Sequence, residues 1–304
     1  MAKPNFLNTI YQKLLSDHVK ERGERIILII SIVSFLLHLI LIYLKDFGLI
    51  NISTDSDLFK NPVAAIYTPF SFILIYEVYL LVYYLPRSIT TYISKQYEII
   101  TLIIIRRLFK DLSSLELSSD WFQIKNDLQF TYDLIASVLL FYLLYLFYIK
   151  SRLRYTIQSK KKSSSINIER FISFKKTIAV FLVPILIGLA VYIFSSWTLN
   201  TIYETDETSV LFKDINNVFF DEFFTILIIV DVLLLLLSFF HTNMFHKVIR
   251  NSGFVISTIL IRLSFSVDGL INTLLIVVAV VFGLLILTIH NQYEKNILNS
   301  NDQK

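Results

Sequence analysis

Long uninterrupted apolar runs constrain this chain more than any other feature. A helix that crosses the core of a bilayer needs about 20 mainly apolar residues. Six runs meet this requirement: Ile26–Leu44, Val63–Leu85, Leu128–Ile149, Thr177–Trp197, Val218–Phe240 and Gly269–Ile289. The first is too long for the core of a signal peptide, and no small-residue cleavage site follows it. The runs therefore predict an all-α polytopic membrane protein.

The composition agrees with this prediction and narrows the classes of function. Of the 304 residues, 55% are hydrophobic and 17% are charged, whereas soluble domains have about 45–50% apolar and about 25% charged residues. The absence of cysteine excludes disulfides, thiolate metal sites and cysteine nucleophiles. The chain carries no metalloprotease, hydrolase or phosphate-loop motif. We therefore expect neither an enzyme nor a cofactor or metal site.

Two further segments are ambiguous because apolar residues alternate with charged ones. Ser88–Phe109 contains Lys95, Glu98, Arg106 and Arg107, and Val248–Phe265 contains basic residues of its own. Each segment either crosses the membrane inside a helix bundle or lies in the interface as an amphipathic helix. The first case gives eight spans, and the second gives six spans plus two interfacial helices.

The distribution of basic residues favours eight spans with a cytoplasmic N-terminus. Loops on the cytoplasmic side of membrane proteins are enriched in lysine and arginine. Eight spans place every basic loop on one side, whereas six spans put either 150–176 or the basic N-terminal stretch outside. The resulting division is a cytoplasmic amphipathic helix (1–24), a first four-helix repeat (25–150), a basic cytoplasmic loop (151–175), a second four-helix repeat (176–290) and a polar tail (291–304). This pattern predicts a multi-pass protein of a bacterial inner (plasma) membrane.

The two halves of the chain match in the order of their rare charged residues. The segment 70–78, with Glu77, aligns with 224–232, with Asp231. After each comes an ambiguous segment, in which Lys95 aligns with Arg250 and Arg107 with Arg262. Apolar helices match one another easily, but ordered charges do so less often. We therefore predict an internal duplication, which is common in membrane transport folds.

The aligned arginines each precede an aspartate that opens the next span. Arg107 and Asp133 are expected at similar depth in neighbouring antiparallel helices, and so are Arg262 and Asp268. A charge in hydrocarbon costs about 2.5–3.5 kcal/mol on insertion scales, so it usually finds a partner inside the bundle. We predict two structural ion pairs that hold helical hairpins together.

Two acids lie near the middle of their spans and have no predicted partner. Glu77 stands among Tyr76, Tyr79 and Tyr83, which are candidate hydrogen-bond donors, whereas Asp231 is surrounded by aliphatic residues. A carboxyl group at such a position either carries a proton or lines a wet path. The first hypothesis is therefore a channel or transporter for a proton or small cation that uses Glu77 and Asp231.

The alternative hypothesis is a membrane scaffold or a subunit of a larger membrane complex, without transport of its own. The aromatic-rich, glycine-poor helices suit broad packing against lipid, a protein partner or a second copy of the chain. The loop with Lys160, Lys161 and Lys162 is expected to attract anionic lipid. The basic residues collect beside the spans and form no basic face on a soluble fold, so we expect no nucleic-acid partner.

Overall fold

A computed structural model of the protein describes residues 6–49, 62–112, 125–158, 166–203, 208–241, 244–267 and 269–301. These ranges are helical and contain no strand. A 3₁₀ turn at Pro62–Ile66 leads into α3. The α-helices in the described ranges are α1 (Phe6–Leu14), α2 (Asp17–Asp46), α3 (Tyr67–Tyr84), α4 (Ile89–Leu112), α5 (Lys125–Gln158), α6 (Ile166–Tyr203), α7 (Thr208–His241), α8 (Phe245–Ser264) and α9 (Leu270–Asn301).

Five of the helices are long and apolar enough to cross a membrane, namely α2, α5, α6, α7 and α9. They contain five of the six predicted spans, which are thereby confirmed as long apolar helices. The sixth, Val63–Leu85, is shorter than predicted, because its apolar helical stretch covers only Thr68–Tyr84. The 3₁₀ turn at Pro62–Ile66 takes up the start of the predicted run.

The outer surfaces of these helices are apolar. Along its 30 residues, α2 buries only Ser31, His38 and Ile42, while Ile29 and Ile32 are about 60% exposed. Contiguous apolar surface of this extent is not stable in water, whereas hydrocarbon accommodates it. The protein is a membrane protein.

The two ambiguous segments form α4 and α8, and both lie inside the bundle. α8 buries polar residues that include Arg250, Asn251, Ser257 and Thr258. α4 likewise buries polar residues, among them Gln96. An interfacial helix would keep its polar face in water. The burial of these polar side chains therefore favours the eight-helix interpretation of α2–α9 over the interfacial one.

Contacts between side chains show that successive helices run in opposite directions. At one end, Arg87 after α3 pairs with Asp17 at the start of α2, and the amide of Asn291 in α9 donates to the carbonyl of Lys150 in α5. We call this end, where α2, α4, α6 and α8 begin, the basic end. Each helix packs against the next in both halves, and the halves meet through α4–α8, α5–α9 and α3–α6. An internal duplication would give this pattern of helix contacts, but so would any series of consecutive helical hairpins. The internal repeat therefore stays a prediction.

Two short connections shape the basic end and the link between the last two helices. The amphipathic helix ends at Leu14, because the side chain of Ser16 accepts a hydrogen bond from the Val19 amide and caps α2. α1 packs on α6, so it is docked on the protein's own surface. The tight link from α8 to α9 turns at Gly269, whose φ of 72° favours glycine.

Candidate functional site

Asp231 lies at the centre of the bundle, where α4, α7 and α8 meet. The residue is 6% exposed, and its carboxylate accepts a hydrogen bond of 3.2 Å from the amide of Gln96. The hydroxyl of Thr258 donates to the Gln96 carbonyl oxygen at 2.8 Å. One hydrogen-bonded chain therefore fixes the acid of the second half to helices from both halves.

A cavity of about 460 Å³ reaches Asp231 from the basic end. Its wall is formed by the turn before α4, the first turns of α4 and α8, the start of α6 and the last part of α7. Its volume lies within the range of about 300–1,000 Å³ that is typical of ligand pockets. A small solute therefore has room beside the buried carboxyl group.

The charge of the cavity lining is strongly positive. Arg87, Lys175, Lys247 and Arg250 line the cavity, and Asp231 is its only acid among the described residues. Lys175 and Arg250 are 6% and 5% exposed. Lys175 donates to the backbone carbonyl of Arg87 at 3.1 Å. Arg250 donates to the side-chain oxygen of Asn251 at 2.7 Å. Hydrogen bonds to these oxygen atoms therefore help to hold the two buried cations against the cavity.

Glu77, the other predicted pathway acid, does not line this cavity. Its side chain is half-buried, and its Oε2 has no hydrogen-bond partner in the described part of the chain. The nearby charges that act on it belong to Glu98, Lys95 and Glu24. The structure thus gives the two acids different surroundings, and a shared pathway through both stays a prediction.

The tyrosines that lie near Glu77 in the sequence donate their hydroxyl hydrogen bonds to other residues. Tyr76 donates to the carbonyl of Lys20 at 3.0 Å, Tyr79 to that of Leu14 at 2.9 Å, and Tyr83 to the carboxylate of Asp17. Residues 76, 79 and 83 share one face of a helix, and residue 77 points roughly 100–160° away from each of them. The expectation that these hydroxyls satisfy Glu77 is wrong, because they tie α3 to the start of α2 and the end of α1.

At the end opposite the basic end, the structure brings Arg107 and Asp133 together. The guanidinium donates to both carboxylate oxygens of Asp133, in one case at 2.6 Å. It also donates to Asn272 at 2.7 Å and to Thr273 at 2.8 Å, both on α9. Asp133 is fully buried. The pair therefore joins three helices, including one from the second half, and not only the hairpin of α4 and α5.

Arg262, the aligned arginine of the second half, has a different setting. Its guanidinium donates to the hydroxyl of Thr225 in α7 at 2.8 Å and to that of Ser266 at 2.9 Å. Its predicted partner Asp268 lies outside the described residues, as do Lys160, Lys161 and Lys162. The second ion pair and the lipid-binding loop therefore stay predictions.

A second cluster at the basic end was missed by the sequence analysis. His246 at the start of α8 and His290 and Glu294 on α9 direct their ligand atoms to within 4.8 Å of one another. The i, i+4 spacing of His290 and Glu294 on one helix face was visible in the sequence. The third member was not, because only the packing of α8 on α9 brings His246 beside them.

Comparison of the chain with protein-family models, curated proteins and solved structures gives no match.

Proposed function

We propose that the protein is a membrane transporter that moves a small anion together with a proton, with its ion site in the cavity at the basic end. The observation that carries this proposal is the meeting of four basic side chains and one deeply buried carboxyl group around a single cavity of about 460 Å³. The sequence predicts a proton or a small cation as the transported ion. The charge of the lining supports the proton and argues against a metal cation.

The electrostatics of the lining favour an anion as the solute. Clefts lined by one sign of charge and walled by low-dielectric material concentrate ions of the opposite sign. Lys175 and Arg250 are almost fully buried beside the cavity, and low-dielectric surroundings strengthen their attraction for an anion. A bound anion is attracted by all four basic side chains, whereas a metal cation is repelled by them and attracted only by Asp231 among the described lining residues.

Asp231 is the candidate proton carrier. Its carboxyl group lies in the cavity wall at the boundary of the two halves. A negative carboxylate repels an incoming anion, and a protonated one does not. Proton uptake by Asp231 and anion entry therefore favour each other, which is the linkage that a coupled carrier needs.

We further propose that all of α2–α9 cross the membrane, with the basic end on the cytoplasmic side of a bacterial inner membrane. The positive-inside preference supports this orientation. The polar interior of α4 and α8, enclosed by the five long apolar helices, supports their membrane position. In this arrangement the cavity takes its anion from the cytoplasmic side.

The proposal is tested by flux into liposomes that contain the purified protein. Chloride, nitrate and inorganic phosphate gradients are applied in turn, and anion uptake and internal pH are recorded together. We expect one of these anions to drive proton movement in the wild type. In Asp231→Asn, proton movement should fall to the level of empty liposomes, while the folded fraction stays unchanged.

Glu77→Gln is the matched comparison, since it removes an aligned acid that does not line the cavity. It should keep the coupled flux. The proposal fails if no applied anion moves protons in the wild type, or if Asp231→Asn retains wild-type coupling. Equal losses in both variants would instead support the path through both acids that the sequence predicts.

A further inference from the structure

We propose that His246, His290 and Glu294 form a binding site for a transition-metal ion such as Zn²⁺ at the basic end of the bundle. The site lies between α8 and α9 and is separate from the carboxyl group of Asp231. Two histidines and one carboxylate are a ligand set that zinc accepts, with water in the fourth position.

The distances between the ligand atoms suit one metal ion. Oε1 of Glu294 lies 3.3 Å from Nε2 of His290 and 4.0 Å from Nε2 of His246. Zinc binds histidine nitrogen and carboxylate oxygen at about 2.0–2.2 Å, so tetrahedral ligands stand roughly 3.3–3.5 Å apart. One pair already has this separation, and all three ligand atoms lie within 4.8 Å of one another, so side-chain shifts on the order of 1 Å bring them around one ion.

The site is sheltered and still reachable. The side chain of His290 is 2% exposed, whereas those of His246 and Glu294 are 14% and 15% exposed. The rings of His246 and His290 stack at 5.3 Å between centroids, and Tyr293 packs against His246 at 5.2 Å. These contacts hold both imidazoles in place before any ion binds, which lowers the cost of ordering the ligands.

The hydrogen bonding of His290 indicates that a cation belongs here. Arg250 approaches Nε2 of His290 at 3.1 Å. A guanidinium can only donate, so this nitrogen presents its lone pair. The same lone pair faces a carboxylate oxygen of Glu294 at 3.3 Å. Two electron-rich atoms at this distance are stabilised by a positive charge between or beside them, and Arg250 supplies that charge when no metal is bound.

Metal binding at this cluster therefore competes with Arg250 for His290. Arg250 also donates to Asn251 and lines the transport cavity. A metal ion that takes the lone pair of His290 removes that acceptor from Arg250 and leaves its bond to Asn251. The cluster is thus placed to adjust the positive charge of the cavity, although its metal binding does not depend on transport.

Cobalt(II) and zinc titrations of the full chain in detergent, after removal of any affinity tag and treatment with chelator, test the site. We expect one equivalent of cobalt(II) to give the visible absorption bands of a four-coordinate ion, and zinc to abolish them. His246→Gln and Glu294→Gln should each weaken binding by about tenfold or more, in line with the effect of altering metal-site residues. His18→Ala is the matched control, because His18 is an exposed histidine at the same end of the bundle.

Arg250→Gln separates a metal site from a structural hydrogen-bond network. It removes the donor that competes for His290, so metal affinity should rise. Thermal unfolding of every variant without metal shows that each one is folded. The proposal is overturned if the wild type gives no four-coordinate cobalt spectrum, if the His246 and Glu294 variants bind as the wild type does, or if Arg250→Gln lowers the affinity.

Discussion

The acids of the two halves, Glu77 and Asp231, occupy aligned positions in the sequence but very different places in the bundle. Asp231 is deeply buried, is hydrogen-bonded to Gln96 and lines a cavity. Glu77 is half-buried beside the Lys95–Glu98 ion pair and does not line that cavity. Similar sequence therefore does not imply similar chemistry, because the neighbours of the acid decide what it can do.

The difference begins with the residues on the adjacent face of each helix. In α3 this face carries Tyr76, Tyr79 and Tyr83, whose hydroxyls reach α1 and α2. In α7 the aligned residues are aliphatic: Val230, Leu233 and Leu237. The tyrosines join the basic end of α3 to α1 and α2 by hydrogen bonds that aliphatic side chains cannot make. The aligned helices therefore differ, because α3 is tied to α1 and α2 whereas α7 carries the acid that lines the cavity.

The largest effect is expected from breaking the ion pair of the first half. Asp133→Asn leaves Arg107 without its carboxylate in a buried network, and breaking such a pair costs about 3–5 kcal/mol. Arg262→Gln removes the bonds from the guanidinium to the hydroxyls of Thr225 and Ser266, and losing a hydrogen bond of a charged group costs less, about 1.5–3 kcal/mol. Denaturant unfolding in detergent compares the two variants. Equal losses of unfolding free energy in the two variants would contradict the difference between the two arginine sites.

The next effect compares anion binding after the loss of a lysine that lines the cavity and after the loss of one that does not. Lys175→Gln removes a buried cation that we expect to bind the anion. Losing a hydrogen bond from a charged group costs about 1.5–3 kcal/mol, so the affinity for the anion should fall tenfold or more. Lys95→Gln alters a lysine that pairs with Glu98 at 2.7 Å and does not line the cavity. Calorimetric titration with the transported anion measures both. A similar loss in each would place the site outside the cavity.

The third effect concerns the contact between α4 and α9, where the two halves of the chain meet. A Cβ on Gly283 of α9 would lie 1.7 Å from the hydroxyl of Tyr97 in α4, so Gly283→Ala must displace the buried Tyr97 ring. Overpacking of this kind costs about 1–3 kcal/mol. Gly188→Ala is the control, since a Cβ there meets nothing within 4 Å. Comparable melting temperatures for both variants would show that α4 and α9 pack less tightly at this contact than the structure indicates.

The smallest effect tests the tyrosines of the first half. Tyr83→Phe removes the hydrogen bonds with Asp17 and Arg87, and one such bond contributes about 0.5–1.5 kcal/mol. Tyr142→Phe changes a tyrosine that is 56% exposed on the outer surface and should be nearly neutral. Thermal unfolding of the pair gives the comparison, and destabilisation by Tyr142→Phe alone would reverse it.

The sequence predicted the long apolar helices well, because length and hydropathy are properties of each segment by itself. It also singled out Asp231, since a lone acid in an apolar helix is unusual. It could not predict that Lys175 and Arg250 come to the same cavity, because that depends on how α6 and α8 pack. The sequence suggested that the hydroxyl groups of Tyr76, Tyr79 and Tyr83 donate to Glu77, because these residues are close to it along the chain. Helix geometry directs the hydroxyl groups away from Glu77.

Water access beside the two acids tests the central claim most directly. The native chain has no cysteine, so Leu80→Cys and Leu234→Cys can each be labelled cleanly. These aligned leucines follow Glu77 and Asp231 by three residues and are 7% and 6% exposed, and only Leu234 lines the cavity. A membrane-impermeant thiol reagent should label Leu234→Cys from the basic end and leave Leu80→Cys unmodified. Equal labelling of the two, or labelling of Leu80→Cys alone, would contradict the account.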